Sequence, residues 1–257
     1  MAAVTPKPGM EMPAMTTSSA TEPHATHLLD ARFMWRVFWV FAGLAGLSIC
    51  ISVAGRYAGR SIAMAGHTDD TTMAEVVIGD NVVAAPHHMI RFSAARRNGA
   101  AARLDLYMRW PRLDGYSDTA RDDFNHAGGS PNIVFASLTE SAMSRDMSGR
   151  YEPIYAHITE PSGEDALGGL QVRRFKEASG YMNEILVVGD GDTATPFVAR
   201  CLDGPSAEQS LAPCERDIHV GDGLSLTYRF PRELLGDWRR LEASVLARIG
   251  GMLKTGS

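Results

Sequence analysis

An α+β fold is predicted: one N-terminal transmembrane helix, then a β-rich, mainly antiparallel domain with a C-terminal amphipathic helix. Three features of the sequence carry this expectation. The run at 37–54 (VFWVFAGLAGLSICISVA) contains no charged residue. From Glu75 onward apolar residues recur with a period near two, the mark of half-buried strands. After Pro231 the period changes to that of a helix with one apolar stripe.

The apolar run comes first. At about 1.5 Å per residue it spans roughly 27 Å, close to the hydrocarbon core of a bilayer. Trp35 and Trp39 stand at one end and Tyr57 at the other, where amphipathic rings suit the headgroup layers. Arg32 and Arg36 flank the start and Arg56 and Arg60 the end, so the positive charges set no orientation. A cleaved signal peptide is a rival reading, since Ser52-Val53-Ala54 and Ala63-Met64-Ala65 resemble small-x-small cleavage sites. Against it, a long segment precedes the run, and the run exceeds the usual h-region. A lipoprotein signal ending at Cys50 is disfavoured because Ile49 stands where a small residue is needed. A buried core helix would rarely be apolar all round. Ala42, Gly46, Cys50 and Ala54 recur every fourth residue, a small-residue stripe on which a second copy of the helix would pack to form a homodimer.

Net charge is −5 and the pI about 5.9, so no basic footprint for nucleic acid is present. Of the 3 cysteines, Cys50 lies in the apolar run and Cys201 and Cys214 are the pair in the soluble part. The segment between them, LDGPSAEQSLAP, is rich in turn formers and separates two strand-like runs. Close spacing after a membrane anchor predicts a disulfide that staples this hairpin. The alternative, two unrelated buried thiols, leaves the compartment open. A disulfide places the domain on the oxidising side, the periplasm of a bacterium, with the N-terminus in the cytoplasm.

The elements follow in chain order. Residues 1–32 form a disordered cytoplasmic tail, poor in apolar periodicity, with His24 and His27 solvated. Residues 33–55 form the transmembrane anchor and 56–74 a polar linker. His67, Asp69 and Asp70 in that linker are a weak candidate for metal, because a flexible segment seldom holds ligand geometry. The periplasmic domain is 75–257. Residues 75–85 read as a hairpin about Gly79-Asp80-Asn81, and 87–92 as a further strand. The clearest strand is 102–110: Leu104, Leu106, Met108 and Trp110 face one way, and Arg103, Asp105, Tyr107 and Arg109 the other. A short helix is expected over 117–126, closed by Gly128-Gly129, and a strand over 132–138. Residues 139–167 are irregular, either functional or mobile. Strands follow at 168–175, 183–188 and 196–201, with Gly189-Asp190-Gly191-Asp192 as a turn. Asp190 and Asp192 lack the further acids of a calcium loop. A hairpin over 215–230 turns at Gly221-Asp222-Gly223. The helix 232–252 buries Leu234, Leu235, Trp238, Leu241, Val245, Leu246 and Ile249, with Asp237, Arg239, Arg240 and Glu242 on its polar side. That stripe completes the core; the sharper alternative is a helix that binds a partner.

No catalytic, cofactor-binding or metal-binding constellation stands out. Gly115-Tyr116-Ser117 lacks the rest of a nucleophile elbow. His87 and His88 are adjacent and would point to opposite faces of a strand. No phosphate-cradling glycine loop or HExxH occurs.

Two stretches, LYMRWPRLDGYS at 106–117 and LTYRFPRELLGDWRRLE at 226–242, resemble single-pass, membrane-anchored envelope proteins of Gram-negative bacteria, the alphaproteobacteria especially. The resemblance implies a compartment and no activity, so no catalytic residue is transferred. The resulting expectation is a single-pass inner-membrane protein, leaning non-enzymatic and without cofactor. Its partners are the lipid bilayer and an envelope protein that its periplasmic domain binds or scaffolds. A tethered small-ligand sensor or carrier, with 139–167 as a pocket mouth, and an anchored hydrolase are the second and third readings.

Overall fold

A computed structural model describes residues 31–64, 66–126, 132–190 and 196–254. The expected tail before residue 31, the Gly128-Gly129 stop and the Gly191-Asp192 half of the turn lie outside the described residues. The chain divides into two compact units, Met1–Tyr57 and Ala58–Ser257.

The N-terminal helix spans Ala31–Met64, 34 residues. Within it Arg32–Val53, 22 residues, is long and apolar enough to cross a membrane. That length is about 33 Å. Its large apolar side chains are exposed, Trp39 at 60% and Phe41 at 67%. The helix does not stop at 55. It runs to Met64, taking up the first half of the expected linker, because 55–64 contains no proline and is largely composed of residues a helix tolerates.

The second unit is built on eight antiparallel strands in the order β4-β5-β11-β10-β9-β8-β7-β6. They are β4 (Arg103–Arg109), β5 (Ile133–Glu140), β6 (Glu164–Ala166), β7 (Leu170–Arg174), β8 (Glu184–Gly189), β9 (Phe197–Leu202), β10 (Cys214–Val220) and β11 (Leu224–Phe230). A three-stranded sheet precedes them in sequence: β1 (Met73–Ile78) lies between β2 (Asn81–Pro86) and β3 (Gly99–Ala100). β1 and β2 form the expected hairpin, with Gly79 at φ 54° in its turn. Residues 87–92 are not a strand. His87–Met89 forms a 3-10 turn, and Arg91 N–H donates to the Asp105 carbonyl at 2.9 Å, which covers the outer edge of β4.

The alternation along the strands sorts their side chains. Leu104, Leu106 and Met108 of β4, Val134, Ala136 and Leu138 of β5, and Leu224, Leu226, Tyr228 and Phe230 of β11 are buried on one inner face. The three-stranded sheet and the C-terminal helix cover that face in one continuous core. The C-terminal segment begins as a 3-10 stretch, Arg232–Asp237, and becomes α-helical over Trp238–Gly250. Leu234, Trp238, Leu241, Val245 and Ile249 are buried as expected, whereas Leu246 stays 39% exposed. Beyond the helix the chain returns to β2, where Ala84 N–H donates to Met252 O at 2.7 Å and Lys254 N–H to Val82 O at 2.8 Å. Asn81, fully buried, bonds both backbone groups of Asp222 and so ties the small sheet to the β10–β11 turn.

Candidate functional site

The outer face of the eight-stranded sheet is polar, and its cross-strand registers define rows. One row reads Tyr107, Phe135, Arg229, Glu215, Arg200 and Leu186, on β4, β5, β11, β10, β9 and β8. The next reads Asp105, Ser137, Thr227 and Asp217. Two covers leave the middle of this face open. Over β4 and β5, an aromatic cluster of Tyr107, Tyr116, Phe124 and Ile133 buries what alternation alone would leave wet. Over β8 and β9, Met147, Tyr151 and Tyr155 pack on Leu186, Val188 and Val198. The irregular 139–167 segment therefore lies down on the sheet as a cover. Part of it is a π-helical turn, Tyr151–Tyr155.

Between the covers is a groove of about 520 Å³ whose floor includes Phe135, Ser137 and Thr227 and whose sides include Arg91, Arg229 and 209–212. Its charges are unevenly paired. Arg103 binds Asp105 on the same strand at 2.8 Å. Glu215 is held by Arg200 at 2.9 Å, and the same arginine reaches Glu184 at 3.5 Å. Arg91 and Arg229 have no carboxylate partner among the described residues. The Arg91 guanidinium rests on the rings of Phe135 at 4.9 Å and Phe92 at 5.2 Å. Arg229 faces Phe135 in register and donates to the Ala212 carbonyl at 3.1 Å. In the next row Ser137 Oγ is buried with no hydrogen-bond partner. The groove thus presents two exposed cations, each with one tethering contact, beside an aromatic floor. Leu211 (53% exposed) lines the groove, and Phe92 (51% exposed) lies outside it against the Arg91 guanidinium.

The sequence-predicted site residues lie elsewhere. Cys201 and Cys214 form the expected disulfide, S–S 2.04 Å, as a directly opposed pair on β9 and β10. In the small-residue stripe, Gly46 and Cys50 are exposed and Ala42 is half-exposed; the side chain of Ala54 lies outside the described residues. His67, Asp69 and Asp70 do not gather. The His67 ring stacks against Tyr116 at 4.8 Å and Tyr107 at 5.3 Å, and its Nδ1 meets Tyr107 Oη at 2.8 Å. Burial pushes its pKa below the ordinary imidazole value and the Tyr107 phenol up to about 12. Asp70 instead pairs with His87 Nδ1 at 2.8 Å; hydrogen bonds from Thr72 and His87 hold its carboxyl at about 2. His88 turns inward, where Gly115 packs on it, and burial lowers its pKa too. No cluster of three His, Cys, Asp or Glu side chains suited to a metal occurs among the described residues. Ser141 Oγ meets His219 Nε2 at 3.0 Å on the surface. Its hydroxyl also faces the Met143 carbonyl at 2.9 Å, and among the described residues no carboxylate orients the ring, so the pair lacks the third member of a triad.

A buried polar cluster went unseen in the sequence. Arg216, 4% exposed, points inward from β10. Its guanidinium binds Glu242 Oε1 at 2.9 Å, Val198 O at 2.8 Å and Ser148 Oγ at 2.9 Å, and lies 4.6 Å from the Phe197 ring centroid. Glu242 belongs to the polar side of the C-terminal helix by sequence, yet it turns to this cation. Tyr228 shares the environment, and burial raises its phenol far above the ordinary value.

No family model matches this chain, and no curated protein does. Two solved structures are similar to it. An immunity protein of the Stenotrophomonas maltophilia type IV secretion system has 14% identity and a TM-score of 0.47, covering 74% of this chain and 96% of its own. The iron-regulated outer membrane lipoprotein FrpD of Neisseria meningitidis has 9% identity and a TM-score of 0.40, covering 72% of this chain and 98% of its own. At these scores neither likeness carries a functional argument.

Proposed function

We propose that this chain is a single-pass inner-membrane protein that presents its β-rich domain in the periplasm to bind an envelope protein. The observation that carries the reading is the polar groove between the two covers, an open sheet face with fixed, unpaired guanidinium groups. The exposed apolar helix Arg32–Val53 supports the tether, and the Cys201–Cys214 disulfide supports an oxidising compartment. Photocrosslinking residues placed on the domain surface of the full chain in intact cells test it. Adducts with an envelope protein are expected, and a domain that forms none at any position would refute the reading.

The groove volume also falls in the range of small-molecule sites, roughly 300–1,000 Å³, which favours a tethered small-ligand carrier as the second reading. Thermal unfolding of the detergent-solubilised chain against a metabolite panel separates the two. Stabilisation by one small compound, without a protein partner, would favour the carrier.

A further inference from the structure

We infer that the groove recognises an extended acidic segment of the protein partner, with Arg91 and Arg229 as its two anchor points. The inference rests on the binding reading above and adds the chemistry of the ligand. Each carboxylate near the groove is already engaged: Asp105 by Arg103, and Glu215 by Arg200. The two remaining guanidinium groups are held in place by their surroundings. Arg91 lies across Phe135 and Phe92, and Arg229 is fixed by the Ala212 carbonyl. A guanidinium fixed in advance loses little freedom when it takes a carboxylate. Of the strands beneath, β5 and β11 are paired on both sides, and at Asp105 and Leu106 the outer edge of β4 is taken up by Arg91 and Ile90, so recognition falls to side chains.

The shape argues for a segment rather than a single anion. The Arg91 guanidinium lies on the Phe135 ring and Arg229 is the cross-strand neighbour of Phe135, and the floor continues into the row of Ser137 and Thr227. Two carboxylates of an extended chain can meet the two cations, while an apolar side chain between them covers Phe135. Leu211 in the lining supplies apolar contact beside the charged centre.

The test uses the full chain in detergent micelles and a fluorescein-labelled synthetic peptide of alternating Glu and Leu. Its Gln-Leu counterpart and free glutamate serve as comparisons, and fluorescence anisotropy is the readout. The acidic peptide is expected to bind, to weaken as salt rises, and to bind about tenfold less to Arg91→Gln and to Arg229→Gln. Both arginines are exposed, and unchanged thermal unfolding of the variants would show that the fold is intact. Equal binding of the Gln-Leu peptide, no binding of the acidic one, or no effect of either substitution would overturn the inference. Full displacement by free glutamate at comparable concentration would also overturn it, in favour of a small-anion site. A photocrosslinker at Leu211 keeps the two proposals apart. Envelope adducts found only at positions outside the groove would leave the binding function standing and remove this inference.

Discussion

Arg216 and Glu242 show how much rests on single side chains. A guanidinium taken out of water is tolerable only with its counter-charge and its acceptors in place. Glu242→Ala removes the carboxylate and leaves the cation buried, and should cost about 3 kcal/mol in chemical unfolding. Replacing both, Arg216→Met with Glu242→Leu, should cost less than the single change, because no orphan charge remains. A double substitution as damaging as the single one would contradict this account. Gly115 sets a second constraint. A Cβ there would lie 2.1 Å from His88 Cδ2 and 2.7 Å from the His88 carbonyl. Gly115→Ala should therefore lose about 2 kcal/mol through forced displacement, and an unchanged melting temperature would refute the packing described. Neither feature was legible in the sequence. Glu242 lies between Leu241 and Ala243 on a face that reads as wet, and nothing local announces a cation across from it on β10.

At the scale of elements, strand alternation was the most legible signal. The β4 and β10–β11 segments stand where period two places them, because one face of each meets the core, whereas β8 and β9 were legible as apolar runs and are buried on both faces. The order β4-β5-β11-β10 was not legible, since the partner of β5 arrives some eighty residues later in the chain and no local pattern encodes that meeting. The wet face was misread where covers lie on it: Tyr107 alternates with apolar residues, yet the aromatic cluster buries it. His67 belongs to that cluster, although its linker position suggested solvent.

The titration of His67 should be measurable. Tyr107, Tyr116, Phe124 and Asn125 surround its ring, with Arg96 and His126 nearby as repelling cations. Its folded pKa is below the unfolded value of 6.5. The neutral-ring contribution to stability is thus fully present above pH 6.5, and it is lost as pH falls from there through the folded pKa. His88 and His126 are lowered in the same sense by burial. His67→Phe should flatten the acid limb of the stability–pH curve, and an unaltered limb would count against the stacked geometry. The disulfide also acts at this scale. Its sequence separation of 13 implies a contribution of about 3 kcal/mol in the loop-entropy model. Cys201→Ser with Cys214→Ser should lower the unfolding midpoint accordingly, and a midpoint unmoved by either the substitutions or reductant would sink the staple.

For the whole molecule, the apolar helix and the disulfide were legible, in an uncharged run long enough for a bilayer and two cysteines at hairpin spacing; the anchor and the compartment inferred from them belong to the proposal. The groove was not readable in this way. Its residues come from β4, β5, β10, β11 and two loops, and only the fold assembles them. The domain is proposed to be tethered on the oxidising side of the membrane. Thiol alkylation tests it most directly, applied under denaturing conditions to full-length protein from carbonate-washed membranes and read by mass. One alkylated thiol before reduction, that of Cys50, and three after it are expected. Three reactive thiols without reductant, or no protein in the washed membranes, would contradict the account.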